Sequence, residues 1–203
     1  DLPFLNQQLN QLFAGEEVEL PTFDFKKGCR TFKGHRIQLA AGDVLIMEGI
    51  HALNPNLLQE VDPDRIFRVY VSALTPLSLD ENNLISTSDN RMLRRMVRDD
   101  ATRGVVPAET ILRWPSVRRG EEKNIFPYQE YADAMFNSSL IYELPLLKHY
   151  AEPLLRRISP ASPAYAESLR LLKFLSYIVE MNPSEHHAIP PTSVMREYIG
   201  GST

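Results

Sequence analysis

Residues 42–50 read GDVLIMEGI. Val44 to Met47 are continuously apolar, follow the turn residues Gly42 and Asp43, and stop at Glu48-Gly49. An apolar run without polar alternation predicts a strand covered on both faces, as in a parallel sheet. Outward from it, residues 66–73, IFRVYVSA, repeat the pattern after the turn-like Asp62-Pro63-Asp64, and residues 132–136 predict a third, shorter strand. Helical patterns separate these strands. Asn54-Pro55 opens a short helix through Glu60, Ser88 or Asp89 caps a long one through Thr102, and Pro107 opens another toward Trp114. Strands alternating with helices predict an α/β fold, a parallel sheet flanked by helices.

The ends of the chain read more simply. Leu2, Leu5, Leu9, Leu12 and Phe13 recur at helical spacing with Gly15 as the stop. Val18 to Phe25 is extended in character, Lys26 to Gly34 suits a hairpin tip, and Arg36 to Ala40 predicts a short strand. Downstream, Pro145 to Arg157 predicts a helix interrupted or strained at Pro153, and the linker SPASP follows. A last amphipathic helix is expected over Ala164 to Glu180, with Leu169, Leu172, Phe174 and Leu175 on its apolar side. The tail is rich in Pro, Gly and Ser, with room for one short helix after Ser193.

Composition bounds the possibilities. The chain has 203 residues, 43% hydrophobic, with 22 basic and 26 acidic side chains and a net charge of −4. That length suits one domain with or without an appendage and excludes disorder as a whole-chain reading. No apolar run approaches the ~20 residues of a membrane span, so no membrane partner is expected. The N-terminus lacks the basic start and apolar stretch of a signal peptide. Cys29, the only cysteine, fits a reducing cytoplasm and cannot form an intrachain disulfide.

The charge is uneven. Between Arg91 and Lys123 lie nine basic residues against five acids, a basic island in an acidic protein of pI about 5.8. General nucleic-acid binding comes with an overall basic domain, so nucleic acid is not the expected partner of this segment. A local anion site is. Arg91, Arg94 or Arg95, and Arg98 recur every three or four residues and share a helix face, where like charges repel unless an anion meets them. The Arg guanidinium fork suits phosphate oxygens. Arg103-Gly104 then ends the helix as a candidate lid hinge. Glu48, at the C-terminal end of an expected buried strand, stands where open α/β sheets place ligands and could hold Mg²⁺. His186-His187 has no partner at i+4 and reads as a solvated loop, Asp133 as structural, and Trp114 as a packed helix end.

Four ordered motifs resemble one family. DNRMLRRMVRDDATRG (89–104) is similar to the DxRLxRRxxRDxxxRG lid of the uridine kinase and phosphoribulokinase family, and GDVLIMEGIHAL (42–53) to its strand ending in an EGI or EGL acid motif. PTFDFKKGCR (21–30) is similar to P-x-Y-D-F-x-x-H-x-R, and PYQEYADAMF (127–136) to a K-x-YAD-hydrophobic strand. The resemblance implies a P-loop kinase domain over residues 1–157 that transfers the ATP γ-phosphoryl to a hydroxyl of a nucleoside-like small molecule with Mg²⁺. Residues 158–203 would be a helical C-terminal extension. SVMREYIGGS (193–202) resembles the end of bacterial uridine-kinase-like proteins that carry a TGS segment upstream.

The resemblance also implies roles. Glu48 would be the metal-associated acid. Arg95, Arg98 and Arg103 would be catalytic lid arginines, Arg98 and Arg103 on the nucleotide phosphates and Arg95 toward the substrate. Asp1 would touch the acceptor's ribose hydroxyls, with Phe23, Arg30 and Arg113 completing the acceptor side. A homo-oligomer is left open.

Departures qualify the substrate and the completeness of the chain. None of the nine glycines is followed by Lys, so the phosphate loop GxxxxGK[ST] is not in this sequence. The expectation is a fragment, or the ordered part, of a longer protein, inactive alone, whose sheet lacks a central strand and leaves an apolar face beside residues 44–47. The family's pyrimidine-reading Tyr and His are Phe23 and Gly28 here, and its lid Arg and Gln are Val105 and Arg113, so uracil should be poorly discriminated. The alternative reading is a catalytically incomplete nucleotide-binding or RNA-linked regulatory module derived from such a kinase.

Overall fold

A computed structural model describes residues 1–24, 28–75, 77–78 and 80–201. Phe25 at the end of the expected extended segment, Lys26 and Lys27 of the expected hairpin tip, and Ser202 and Thr203 of the tail lie outside the described residues. The chain divides into two compact units, Asp1–Tyr70 with Glu121–Met135, and Val71–Gly120 with Phe136–Thr203.

The first unit opens with helix α1, Leu2–Phe13. Asp1 caps it by accepting from the Phe4 N–H at 3.2 Å, Pro3 costs no bond in the first turn, and Gly15 (φ +79°) turns the chain out. Strands β1 (Val18–Asp24) and β2 (Cys29–Ile37) form an antiparallel hairpin with Phe23 opposite Arg30. The second strand begins earlier than expected and stops at Ile37. Residues Cys29 to Phe32 pair with β1 instead of forming a turn, and the register shifts before Arg36 and Ile37 pair in turn. Asn6 ties α1 to the following segment, donating to the Leu57 carbonyl and accepting from the Glu60 N–H. Asn54 caps a single 3-10 turn, Pro55–Leu58, shorter than the helix expected there.

Residues 44–47 are a correction. They form no strand, and Val44 and Ile46 are 83% and 87% exposed. Apolar character makes a strand only where a neighbour accepts its N–H groups and supplies its carbonyls with donors, and no described residue does so here.

The second expected strand is shorter, β3 at Val69–Ser72. Helices α2 (Thr87–Arg103) and α3 (Pro107–Asn124) follow, then β4 (Ala134–Asn137). β3 pairs with β4. Their bonds advance together, Ala134 to Arg68 and Ser138 to Ser72, so the pair is parallel. The expected parallel sheet therefore exists as two strands among the described residues. Asp133 is structural, as its sequence setting suggested: its carboxylate accepts from the Arg68 N–H at 2.6 Å.

The second unit is helical and holds the larger core. Helix α4 (Glu143–Arg156) runs unbroken through Pro153, and α5 spans Tyr165–Leu175, ending earlier than the sequence pattern indicated. Its buried line is Ser168, Leu171 and Leu175, whereas Leu169 is 47% exposed. A four-residue helix α6, Arg196–Ile199, closes the tail. Met92, Leu93 and Met96 of α2 meet Leu146 and Leu147 of α4, Leu171 and Leu175 of α5, and Met195 and Tyr198 in one cluster. Residues beyond 157 are thus built into the core that carries the arginine helix. Trp114 is buried as expected, though inside α3 and not at its end, and its indole donates to Ser88 Oγ at 3.0 Å. His186 corrects the solvated-loop reading: it packs against the His149 and Tyr150 rings and meets the Tyr150 hydroxyl at 3.2 Å.

Candidate anion-binding site

Helix α2 fixes the site. Ser86 Oγ caps its start by accepting from the Asp89 N–H, and Gly104, in the left-handed region at φ +63°, lets its own N–H and that of Val105 return to the Asp99 carbonyl. Met92, Leu93, Met96 and Val97 are buried and set the rotation of the helix. The i, i+3, i+4, i+7 series Arg91, Arg94, Arg95 and Arg98 then falls along its flank. All four line one cavity of about 250 Å³ in the second unit, with Trp114 and Tyr198 on its wall.

The arginines are not equivalent. Arg94 is 8% exposed and forms a two-point ion pair with Glu143, which is 1% exposed; Nη2 meets Oε2 at 2.5 Å and Nε meets Oε1. Burial opposes the Arg94 charge, but the Glu143 carboxylate outweighs it and raises the guanidinium pKa. Arg94 is a latch between α2 and α4. Asp99, 3% exposed, gathers Arg95 Nε at 3.1 Å, Arg103 Nη1 at 3.0 Å and Arg98 Nε at 3.5 Å. Arg98 also donates from Nη1 to Glu197 of α6 at 3.1 Å. Burial opposes the charge of Arg98 too, and Glu197 and Asp99 more than offset it. Tyr198 lies under the Arg94 guanidinium at 5.4 Å, and burial raises its hydroxyl pKa despite that cation. Arg94, Arg95, Arg98 and Arg103 thus meet the three carboxylates of Asp99, Glu143 and Glu197, four cations to three anions. Such a donor set suits an oxyanion.

The sequence-predicted residues therefore divide. Arg95 and Arg98 line the cavity; Arg103, 52% exposed in its side chain, is held to Asp99 at the helix end. Arg113 lies outside the cavity lining, paired with Glu109 one turn earlier on α3. In the first unit, Asp1, Phe23 and Arg30 come together. Arg30 donates from Nη1 to Asp1 Oδ2 at 2.9 Å, its guanidinium lies 4.0 Å from the Phe4 ring centroid, and Phe23 is its cross-strand partner. This group offers a carboxylate, a cation and an exposed aromatic ring on one surface. Glu48 is exposed in the irregular segment of the same unit. Among the described residues no three His, Cys, Asp or Glu side chains are arranged to hold a metal. Mg²⁺ commonly takes one or two carboxylates plus phosphate oxygens and water, and Glu48 is compatible with such a site.

Asp99, Glu143, Glu197 and Tyr198 were not among the expected site residues. The i, i+4 spacing of Arg95, Asp99 and Arg103 offers a local signal for the first. Nothing local marks Glu143 or Glu197, which lie 49 and 99 residues from their arginine partners.

Known sequences agree with the motifs. The profile of the Phosphoribulokinase / Uridine kinase family matches residues 1–142. The chain is 34% identical over 135 residues to the uridine kinase of Macrococcus caseolyticus strain JCSC5402, covering 66% of this chain and 56% of the relative. It is 30% identical over 135 residues to that of Streptococcus equi subsp. zooepidemicus strain MGCS10565, with the same coverage. The uridine kinase of Lactobacillus helveticus strain DPC 4571 is 31% identical over 135 residues, 66% of this chain and 55% of the relative. The chain spans about half the length of the curated relatives it matches. No helix among the described residues is long and apolar enough to cross a membrane. The arginine helix, the EGI and YAD motifs and the extent of the match make this chain a member of the phosphoribulokinase and uridine kinase family.

Proposed function

We propose that this chain supplies the phosphate-binding arginine helix and the acceptor-side hairpin of a cytoplasmic kinase that moves the γ-phosphoryl of ATP to a hydroxyl of a nucleoside-like small molecule. The observation that carries this reading is the cavity lined by Arg91, Arg94, Arg95 and Arg98, four guanidinium groups from one flank of α2. Arg95 and Arg98 act on the phosphate oxygens from the cavity wall. Arg103 acts from the helix end, where Asp99 orients it. Together they stabilise charge on the moving phosphoryl group. Asp1 receives ribose hydroxyls, Phe23 offers a stacking face, and Arg30 holds the Asp1 carboxylate in place. Arg113 of α3 is a further substrate-binding residue. Glu48 would hold Mg²⁺, which would supply neutralising charge to the nucleotide phosphates. Residues 1–157 belong to the kinase domain, and residues 158–203 form an extension that braces the arginine helix.

The test is calorimetric titration of ATP into this chain and its Arg98→Ala variant, with turnover measured on the full gene product against a panel of nucleosides and other small alcohols. The variant should bind ATP at least tenfold more weakly and transfer phosphate about 10²–10³-fold more slowly. Unchanged binding and turnover would remove the lid assignment. ATP binding with no transfer to any alcohol in the panel would favour the regulatory-module reading.

A further inference from the structure

We propose that Glu197 is a built-in competitor for the arginine cavity: its carboxylate occupies Arg98 in the resting chain and gives way when a polyphosphate enters, so the C-terminal segment sets the anion affinity of the site. This rests on the reading of the cavity as a phosphate site and extends it to regulation.

The segment is anchored on both sides of Glu197. Met195 is fully buried and Tyr198 is 8% exposed, both within the core that holds α2 and α4. Ser193 Oγ meets the Tyr142 hydroxyl at 3.1 Å, and the Arg196 guanidinium donates to the His186 and Ile189 carbonyls. The backbone of α6 is therefore fixed from below, and Tyr198 forms part of the cavity wall. Glu197 differs from its neighbours. Its side chain is 49% exposed and reaches Arg98 Nη1 at 3.1 Å. A long, half-exposed carboxylate can rotate into solvent at little cost, whereas Tyr198 and Met195 cannot leave the core cheaply.

Arg98 is the arginine worth contesting. Arg94 is committed to buried Glu143, and Arg95 and Arg103 are held by Asp99. Arg98 lies 3.5 Å from Asp99 through Nε, but that buried nitrogen has no hydrogen-bond acceptor, and its one hydrogen-bonded carboxylate is Glu197. A triphosphate carries more charge than one carboxylate and reaches the neighbouring arginines at the same time, so it displaces Glu197. The displaced carboxylate then repels the bound anion from nearby, which lowers affinity further.

The experiment is calorimetric titration of inorganic tripolyphosphate, and separately of a non-hydrolysable ATP analogue, into the wild-type chain, Glu197→Gln, Arg98→Ala and the double variant, with melting temperatures recorded for each. Glu197→Gln should bind tripolyphosphate three- to tenfold more tightly while its melting temperature moves by no more than a few degrees, and the gain should vanish in the double variant. Equal or weaker binding by Glu197→Gln, with Arg98→Ala still impaired, overturns the competitor and leaves the phosphate site standing. Arg98→Ala binding as tightly as wild type overturns both. If the glutamine variant loses its fold, Glu197→Asp, which keeps the charge but withdraws it by one methylene, should give a smaller gain of the same sign. No gain there counts against the proposal equally.

Discussion

Glu143 holds both the Nε and Nη2 edges of Arg94, and the two side chains are almost wholly withdrawn from water. This pair joins the arginine helix to α4 across 49 positions of sequence. Removing one member strands a buried charge. Glu143→Gln or Arg94→Met should each cost about 3–5 kcal/mol, and the combined Arg94→Met/Glu143→Leu variant less than the sum of the two. Urea denaturation of the four proteins reads this directly, and a loss below about 1 kcal/mol for Glu143→Gln would mean the pair is not sequestered as described.

Asp99 organises three arginines from a buried position on the same helix. Asp99→Asn keeps the shape and removes the charge. Stability should fall by about 1–3 kcal/mol, because three guanidinium groups then face one another with a neutral amide between them. Thermal melts at low and high salt separate the contributions: part of the loss should recover in high salt, where repulsion between the arginines is screened.

The residues after 157 are structural members of the second unit. Leu171 is fully buried while Leu169, two positions away, is 47% exposed. Leu171→Ala should cost about 2–5 kcal/mol, and Leu169→Ala no more than about 0.5 kcal/mol. Equal effects from the two substitutions would show that α5 does not pack by the face assigned to it.

Tyr198 supplies a pH signature. Burial raises its pKa above the ordinary 10, so the unfolded chain releases this proton first as pH rises. Its contribution to stability is fully present below about pH 10 and is lost through the alkaline range above it. The difference in unfolding free energy between wild type and Tyr198→Phe should stay constant from pH 7 to 9 and shift against wild type beyond pH 10. A difference independent of pH up to 11 would contradict the buried phenol.

The apolar run at 44–47 gives the opposite kind of prediction. Ile46 is 87% exposed, so Ile46→Ser in this chain should change stability by no more than about 0.5 kcal/mol. Fast amide exchange over residues 44–50 should accompany it. Slow exchange there would restore the strand that the sequence pattern indicated.

Much of this structure is local and was readable as such. The stop at Gly15, the long arginine helix ending at Gly104 and the short tail helix follow from interactions within a few residues. The arginine series was legible because helical periodicity puts positions 91, 94, 95 and 98 on one flank. The strand at 44–47 was not, because strand formation depends on a partner and the run itself carries only the apolar half of the requirement. His186 was misread for a similar reason: its neighbours His149 and Tyr150 lie more than thirty positions earlier.

The helical spacing of its arginines and the family its motifs belong to are legible in the sequence alone. Which carboxylate each arginine meets depends on the tertiary structure. Periodicity makes Arg91, Arg94, Arg95 and Arg98 equivalent, but Coulombic pairing depends on distance in space. Folding brought Glu143 to Arg94 and Glu197 to Arg98, turning one arginine into a buried latch and leaving the other contested at the cavity wall.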